Sequence, residues 1–199
     1  MRTLFIFRHG ETDWNKEGRF QGRFDIPLNE TGRKQAERLR EFFSLNPVEV
    51  FLSSDLARAR ETAEIAKGEL DVPVVLESRL RETNLGDAEG LTQEEVAVKF
   101  GPELLQGWRS IGLENQNFRF PNGESKAEHL ERILAGLEQF LGSTEYSRIA
   151  VASHGGVMRR LLHHLLPGLS TPVMVGNCVI YRVDFYEDGS RWVVHPEPL

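Results

Sequence analysis

Short apolar runs alternate with amphipathic helical patterns along most of this chain, and few folds accommodate that alternation. Runs rich in β-branched or aromatic residues at Leu4–Phe7, Val48–Leu52, Val72–Leu76, Ile149–Ala152, Val179–Phe185 and Trp192–Val194 are mostly bounded by turn formers or changes of charge, and they predict strands. Between them, Thr31–Phe43, Leu56–Ala66 and Ala127–Leu141 carry apolar residues at helical spacing. A further helix is predicted over Gly156–Leu166, stopping before Pro167. Strands separated by helices of this length need crossover connections. An α/β fold is therefore predicted, with a mostly parallel central sheet and helices on both faces in three layers. The stretch from about Thr83 to Asn122 breaks the pattern. Its short helical pieces (Gln93–Phe100, Glu103–Ser110) and its Gly/Asn-rich run with Trp108, Phe118 and Phe120 predict a small inserted cap. With 199 residues, 40% of them hydrophobic, the chain can bury one substantial core, so a single domain over 1–199 with a cap at about 83–122 is expected.

Charge narrows the partners. The formal net charge is -6 with a pI near 5.6, whereas a nucleic-acid surface normally needs a broad basic face, so no nucleic-acid partner is expected and any anion site must be local. Cys178 is the sole cysteine, which rules out an intramolecular disulfide and suits a reducing compartment; the cytoplasm is the expected location. The N-terminal apolar stretch is too short for a signal peptide, and no run approaches membrane-spanning length. Oligomeric state is left open, a homodimer included.

In an open parallel sheet, ligands bind beyond the carboxyl ends of the strands. Those positions here read Arg8-His9-Gly10, then Ser53-Ser54-Asp55 followed by Arg58, then Ser153-His154-Gly155-Gly156. A neutral imidazole can attack phosphorus, and a guanidinium fork matches phosphoryl oxygens. A lone histidine in such a place is more often solvated or part of the core than catalytic. Two His-Gly steps at equivalent strand ends, each near an arginine, favour a phosphoryl-transfer site. There, glycine lets the chain turn sharply and lets backbone N–H groups approach a phosphate, while His154 donates to the anion. The sequence contains no H-E-x-x-H, no C-x-x-C, no clustered Asp set with metal-ligand spacing and no P-loop pattern, so neither a metal nor a cofactor is expected.

The segments RHGETDWN (Arg8–Asn15), QGRFDIPLNETG (Gln21–Gly32), SSDLARARETA (Ser53–Ala63), LRETNLGDAEG (Leu80–Gly90), PNGES (Pro121–Ser125) and SHGGVMR (Ser153–Arg159) together resemble the histidine phosphatase superfamily, in its phosphoglycerate mutase-like branch. The resemblance implies a phosphoglycerate mutase-like fold and a metal-independent reaction. It implies that His9 is the nucleophile that becomes phosphohistidine, with Arg8, Arg58 and His154 around the transferring group. It also implies that Asn15 adds a side-chain donor, that Gln21 and Gly22 contact substrate, and that Glu82 protonates the leaving oxygen and later activates water. A carboxyl beside a phosphate dianion is disfavoured in its ionised form, which suits that role, while adjacent Arg81 opposes it. Glu11 reads as a loop-ordering or solvated residue, and Arg23 as either a substrate contact or surface. His163 and His164 read as the polar face of a helix, and His129 and His195 have no partner motif.

The family's phosphatases and mutases share the phosphohistidine step and differ in the acceptor, water or a substrate hydroxyl. Cofactor-dependent mutases resemble longer chains with a strongly basic insertion, whereas the cap segment here offers only Lys99, Arg109 and Arg119. Hydrolysis of a small organic phosphate monoester is the expected reaction, with phosphoglycerate mutase as the alternative. A catalytically silent domain that binds phosphorylated ligands is the third reading, and it would be expected to lack one of the five site residues. Trp108, Phe118 and Phe120 either pack the cap's small core, the commoner role of such aromatics, or line an apolar rim for a larger organic phosphate, and the roles of Trp108, Arg109, Phe118 and Arg119 are left open.

Overall fold

The computed structural model describes residues 1–110, 115–166, 171, 173–186 and 191–195. Strands β1 (Arg2–Arg8), β2 (Val50–Ser53), β3 (Val74–Leu76) and β4 (Arg148–Ser153) are parallel, and β5 (Ile180–Tyr186) and β6 (Arg191–Val194) form an antiparallel edge. Their order in the six-stranded sheet is β3-β2-β4-β1-β5-β6. Seven helices are found among the described residues: α1 (Asp13–Lys16), α2 (Glu30–Leu45), α3 (Ala57–Lys67), α4 (Gln93–Phe100), α5 (Pro102–Arg109), α6 (Lys126–Ser143) and α7 (Gly155–Leu165). The expected α/β class holds.

Side chains alternate across a strand, so β1 sends Leu4 and Ile6 to one face and Phe5 and Phe7 to the other. On the first face they meet Ile133 and Leu137 of α6 and Met158, Leu161 and Leu162 of α7. On the second they meet Leu39 and Phe43 of α2 and Ala63 and Ala66 of α3. Both faces are covered, which is why the central strands are apolar throughout instead of alternating with polar residues. A third, smaller cluster joins Leu85, Ala88, Val96, Leu105 and Phe120, with Phe20, Trp108 and Phe118 against it. Phe120 is 1% exposed and its ring centroid lies 5.6 Å from those of both Phe20 and Trp108 in tilted contacts, so the cap aromatics pack this cluster. Burying one such side chain contributes about 1.5–3 kcal/mol.

Element ends depart from the sequence expectation for local reasons. β3 starts at Val74, because Pro73 has no N–H and only its carbonyl joins the ladder, accepting from Phe51 N at 2.9 Å. Val48 is buried but precedes β2. The single turn α1 is too short to show periodicity; its Thr12–Asn15 capping box was the available signal. α7 ends at Leu165, and Pro167 lies outside the described residues.

Candidate active site

The sheet register brings the strand ends together. Arg8 is the partner of Ser153 across β1 and β4, and Ser53 is the partner of Ala152 across β2 and β4. One residue further on, His9 N donates to Ser153 O (2.9 Å) and Ser54 N to Ala152 O (3.0 Å), so His9, Ser54 and His154 leave the sheet side by side. The His9 and His154 ring centroids are 5.3 Å apart.

His9 is 2% exposed and its Nδ1 lies 2.7 Å from Gly10 O. A carbonyl can only accept, so in the neutral ring the proton is on Nδ1 and Nε2 carries the lone pair. Burial, then the charges of Arg58 and Arg8, hold His9 well below the ordinary histidine value of 6.5. The backbone N–H expected to face a phosphate is used otherwise: Gly10 N donates to Thr62 Oγ1 at 3.0 Å.

Arg8 Nη1 donates to Val175 O (3.0 Å), while Arg58 donates to Phe24 O (2.7 Å) and Gly22 O (2.8 Å). Neither guanidinium forms an ion pair among the described residues, and in each the Nε is buried without a partner. Burial pushes both down to about 10, against the opposing charge of Glu82. Two desolvated cations held by backbone carbonyls form a ready anion site.

His154 is fully buried, and its Nε2 lies 2.8 Å from Ser54 Oγ, whereas its Nδ1 has no partner among the described residues. With the Ser54 hydroxyl donating to Nε2, Nδ1–H is left to donate to an anion. Burial and then Arg58 hold this ring, too, well below 6.5. The sequence places Ser54 in a strand-end run but gives it no role of its own.

Glu82 is half-buried just after a 3-10 turn. Its Oε1 accepts from Thr83 N (2.8 Å) and its Oε2 from Gly156 N (2.9 Å), so the second glycine after His154 serves the carboxylate and not a phosphate. A β-carbon at Gly156 would lie 2.2 Å from Glu82 Oε1, so this close approach requires glycine. Arg81, expected to oppose Glu82, is instead paired with Asp55 (2.5 Å).

Asn15 Oδ1 accepts from Thr12 N (3.2 Å) and Asn177 Nδ2 (3.3 Å), which leaves the amide nitrogen as the end available for donation. Gln21 is 7% exposed, and its Oε1 has no partner among the described residues. Gly22 adopts φ 52°, and a β-carbon there would lie 2.0 Å from Glu89 Oε1; its carbonyl holds Arg58. Glu11 orders the loop by accepting from Asn29 Nδ2 (2.9 Å), and Arg23 reaches Glu124 (3.4 Å) at the surface. His195 pairs with Asp184 (2.8 Å), while His164 is exposed.

Beside Glu82 opens a cavity of about 360 Å³, lined in part by Thr83, Trp108, Arg109, His129, Gly156, Arg159, Arg160 and His163. His163 therefore lines a cavity instead of only a polar helix face. His129 also belongs here, its Nδ1 2.8 Å from Thr83 Oγ1, a pairing across 46 positions that no local motif announces.

Comparison with known proteins agrees with this geometry. The sequence description of the "Histidine phosphatase superfamily (branch 1)" matches residues 4–197. The chain is 36% identical over 207 residues to "Probable phosphoglycerate mutase GpmB" of Salmonella arizonae, covering 98% of this chain and 91% of that one. It is 30% identical over 195 residues to "Uncharacterized phosphatase PhoE" of Bacillus subtilis, covering 96% and 92%. A solved mycobacterial glucosyl-3-phosphoglycerate phosphatase superposes with a TM-score of 0.86 at 27% identity, covering 98% of each chain. A match along nearly the whole chain, joined to the convergence of His9, Arg8, Arg58 and His154 at one end of the sheet, makes the protein a member of the histidine phosphatase superfamily, branch 1.

Proposed function

We propose that the protein hydrolyses a small organic phosphate monoester through a phosphohistidine on His9, without a metal. The observation that carries this reading is the Nδ1 bond of His9 to Gly10 O, which leaves a neutral Nε2 lone pair beside His154 and two buried guanidinium groups that form no ion pair among the described residues. In the first step the His9 Nε2–P bond forms as the P–O ester bond breaks, and the leaving oxygen takes a proton from Glu82. Arg8, Arg58 and His154 Nδ1–H hold the phosphoryl oxygens, with Asn15 and Gln21 at the rim; positioning and charge stabilisation are most of what such a transfer needs. In the second step Glu82, now ionised, takes a proton from water as the new P–O bond forms and the Nε2–P bond breaks.

Water is favoured as acceptor because the cap's cations are already engaged. Arg119 pairs with Glu128 (3.2 Å), Lys99 lies over the Phe100 ring (4.8 Å), and Arg109 is hydrogen-bonded to Gln93. The 36% identity to a probable phosphoglycerate mutase keeps phosphoryl transfer to a substrate hydroxyl as the second reading. The acidic net charge supports a small ester over a nucleic acid, and no described helix is long and apolar enough to cross a membrane. The deciding experiment incubates the enzyme with 3-phosphoglycerate, with and without its bisphosphate, and measures free phosphate and isomer together. Free phosphate with little isomer is expected; isomer with little free phosphate would overturn hydrolysis.

A further inference from the structure

Glu82 lies on a segment that belongs to no helix or strand and follows directly on the 3-10 turn Ser78–Leu80. Such a segment has no ladder to fix it, so its backbone carbonyls must find donors elsewhere. They find them on two sides. The carbonyls of Arg79, Arg81 and Glu82 accept from the guanidinium of Arg132 on α6, at 2.6, 2.8 and 2.8 Å. The carbonyl of Leu80, between them, accepts from Ser153 Oγ at the end of β4 (2.8 Å). The remaining Arg132 donors go to Glu124, Nη2 to Oε1 (2.5 Å) and Nε to Oε2 (2.9 Å), so all five N–H groups of the guanidinium are used. Glu124 in turn holds the chain beyond the acid. Its Oε1 accepts from Asn84 N (2.7 Å), and its own N–H donates to Asn84 O (2.9 Å). The pair is sheltered, with the Arg132 and Glu124 side chains 16% and 12% exposed. Arg132 is not among the described residues lining the cavity beside Glu82, and it keeps no N–H for a phosphoryl oxygen. Its influence on the reaction must pass through the segment that it holds.

We propose that Arg132, paired with Glu124, is a positioning residue for proton transfer: the pair fixes the backbone on both sides of Glu82 and so aims its carboxyl at the leaving oxygen. The N–H groups of Thr83 and Gly156 hold the two carboxylate oxygens, and they can set the carboxyl's place only if the backbone behind it is fixed as well. Lysine cannot take over this task, because a point charge with three donors cannot span three carbonyls and both oxygens of a carboxylate in one plane. A displacement on the order of 1 Å at a reacting group can cost about 10²-fold in rate. Here the cost falls on esters whose leaving oxygen needs the proton. This inference rests on the hydrolase reading above, with Glu82 as the acid.

The test measures kcat/KM, which reports formation of the phosphohistidine, for propyl phosphate and for 4-nitrophenyl phosphate. The first has a poor leaving group and the second leaves without a proton. The proteins compared are the unmodified chain, Arg132→Gln, Arg132→Lys, Glu82→Gln and Glu82→Gln/Arg132→Gln. In Arg132→Gln the value for the alkyl ester should fall about 10²-fold and that for the aryl ester by less than about threefold. Arg132→Lys keeps the charge and the stem, should lose about tenfold on the alkyl ester alone, and decides the matter where Arg132→Gln does not fold. In the Glu82→Gln background, Arg132→Gln should add less than about threefold, because the acid through which it acts is gone. Equal losses on the two esters in Arg132→Lys, an unchanged alkyl rate there, or the full further loss in the double variant overturns the inference alone and leaves Arg132 a residue of the fold only. Equal losses on both esters in Glu82→Gln remove the acid role and this inference with it. Absence of phosphate release from both esters in the unmodified protein overturns the hydrolase reading itself.

Discussion

Around His9, the polar groups are fixed largely by neighbouring strand ends and backbone. Arg8 and Arg58 are held by carbonyls, His9 by its own Gly10 carbonyl, and His154 by Ser54 on the adjacent strand end. The cavity beside Glu82 is walled differently, by side chains of α6, α7 and the α4–α5 segment, and two of their nitrogens, His129 Nε2 and Arg160 Nε, have no partner among the described residues. The first region is preorganised by sheet register and the second by helix packing. The difference teaches that the two can vary separately: the sheet register fixes where His9, Ser54 and His154 stand, whereas the cavity wall depends on how the helices pack.

Several changes would break or sharpen that contrast. The largest concerns Glu82, which sits at the border of the two regions. Glu82→Gln should lower kcat on an alkyl phosphate by roughly 10²–10⁴-fold and on an aryl phosphate with a good leaving group far less, because only the poor leaving group needs the proton. Equal losses on both, or full turnover on the alkyl ester, would remove Glu82 from the acid role. A smaller effect is expected at Ser54. Ser54→Ala frees the His154 ring, and kcat/KM should fall about tenfold for alkyl and aryl phosphates alike, because the phosphoryl pocket is common to both. A loss confined to the alkyl phosphate would place His154 with the leaving group instead.

The smallest effects are on stability. The two guanidinium groups pushed to about 10 mark a pocket in which neither forms an ion pair among the described residues, so inorganic phosphate should stabilise the fold by about 2.7 kcal/mol at a hundredfold excess over its Kd, read as a rise in Tm. No shift would contradict an anion pocket there. His9, His154 and His129 are each held well below 6.5 by burial and nearby arginines. The unfolded chain protonates these rings near 6.5, while the folded one keeps them neutral to lower pH. The stability they contribute is therefore complete above that value and is lost as pH falls below it, by up to about 1.4 kcal/mol per pH unit for each ring. Urea midpoints measured from pH 7.5 to pH 5 should decline with a slope that His129→Gln reduces; a flat profile would mean that the rings titrate alike in both states.

Much of the framework was legible because it is written locally. Apolar runs and helical spacing marked the strands and helices to within a few residues, and the His-Gly and Arg positions at strand ends pointed to the corner where the register brings them. What was hidden depends on contacts between distant positions. Ser54 meets His154 across 100 positions and Thr83 meets His129 across 46, and no short motif encodes either pair. The cavity itself was not foreseen for the same reason: the count of cations between Thr83 and Asn122 does not include Arg159 and Arg160, which line it from α7. The glycines were read as openings for a phosphate, yet Gly156 makes room for Glu82, a contact across 74 positions.

The central claim is that His9 Nε2 carries the phosphoryl group during turnover. It is tested most directly by rapid quenching at alkaline pH with a phosphorus-labelled substrate, followed by peptide mapping. The account predicts an acid-labile label on His9 alone, formed and lost at rates compatible with kcat, and neither label nor phosphate release in His9→Ala. Phosphate release that persists in His9→Ala, or a label mapping to any other residue, would contradict it.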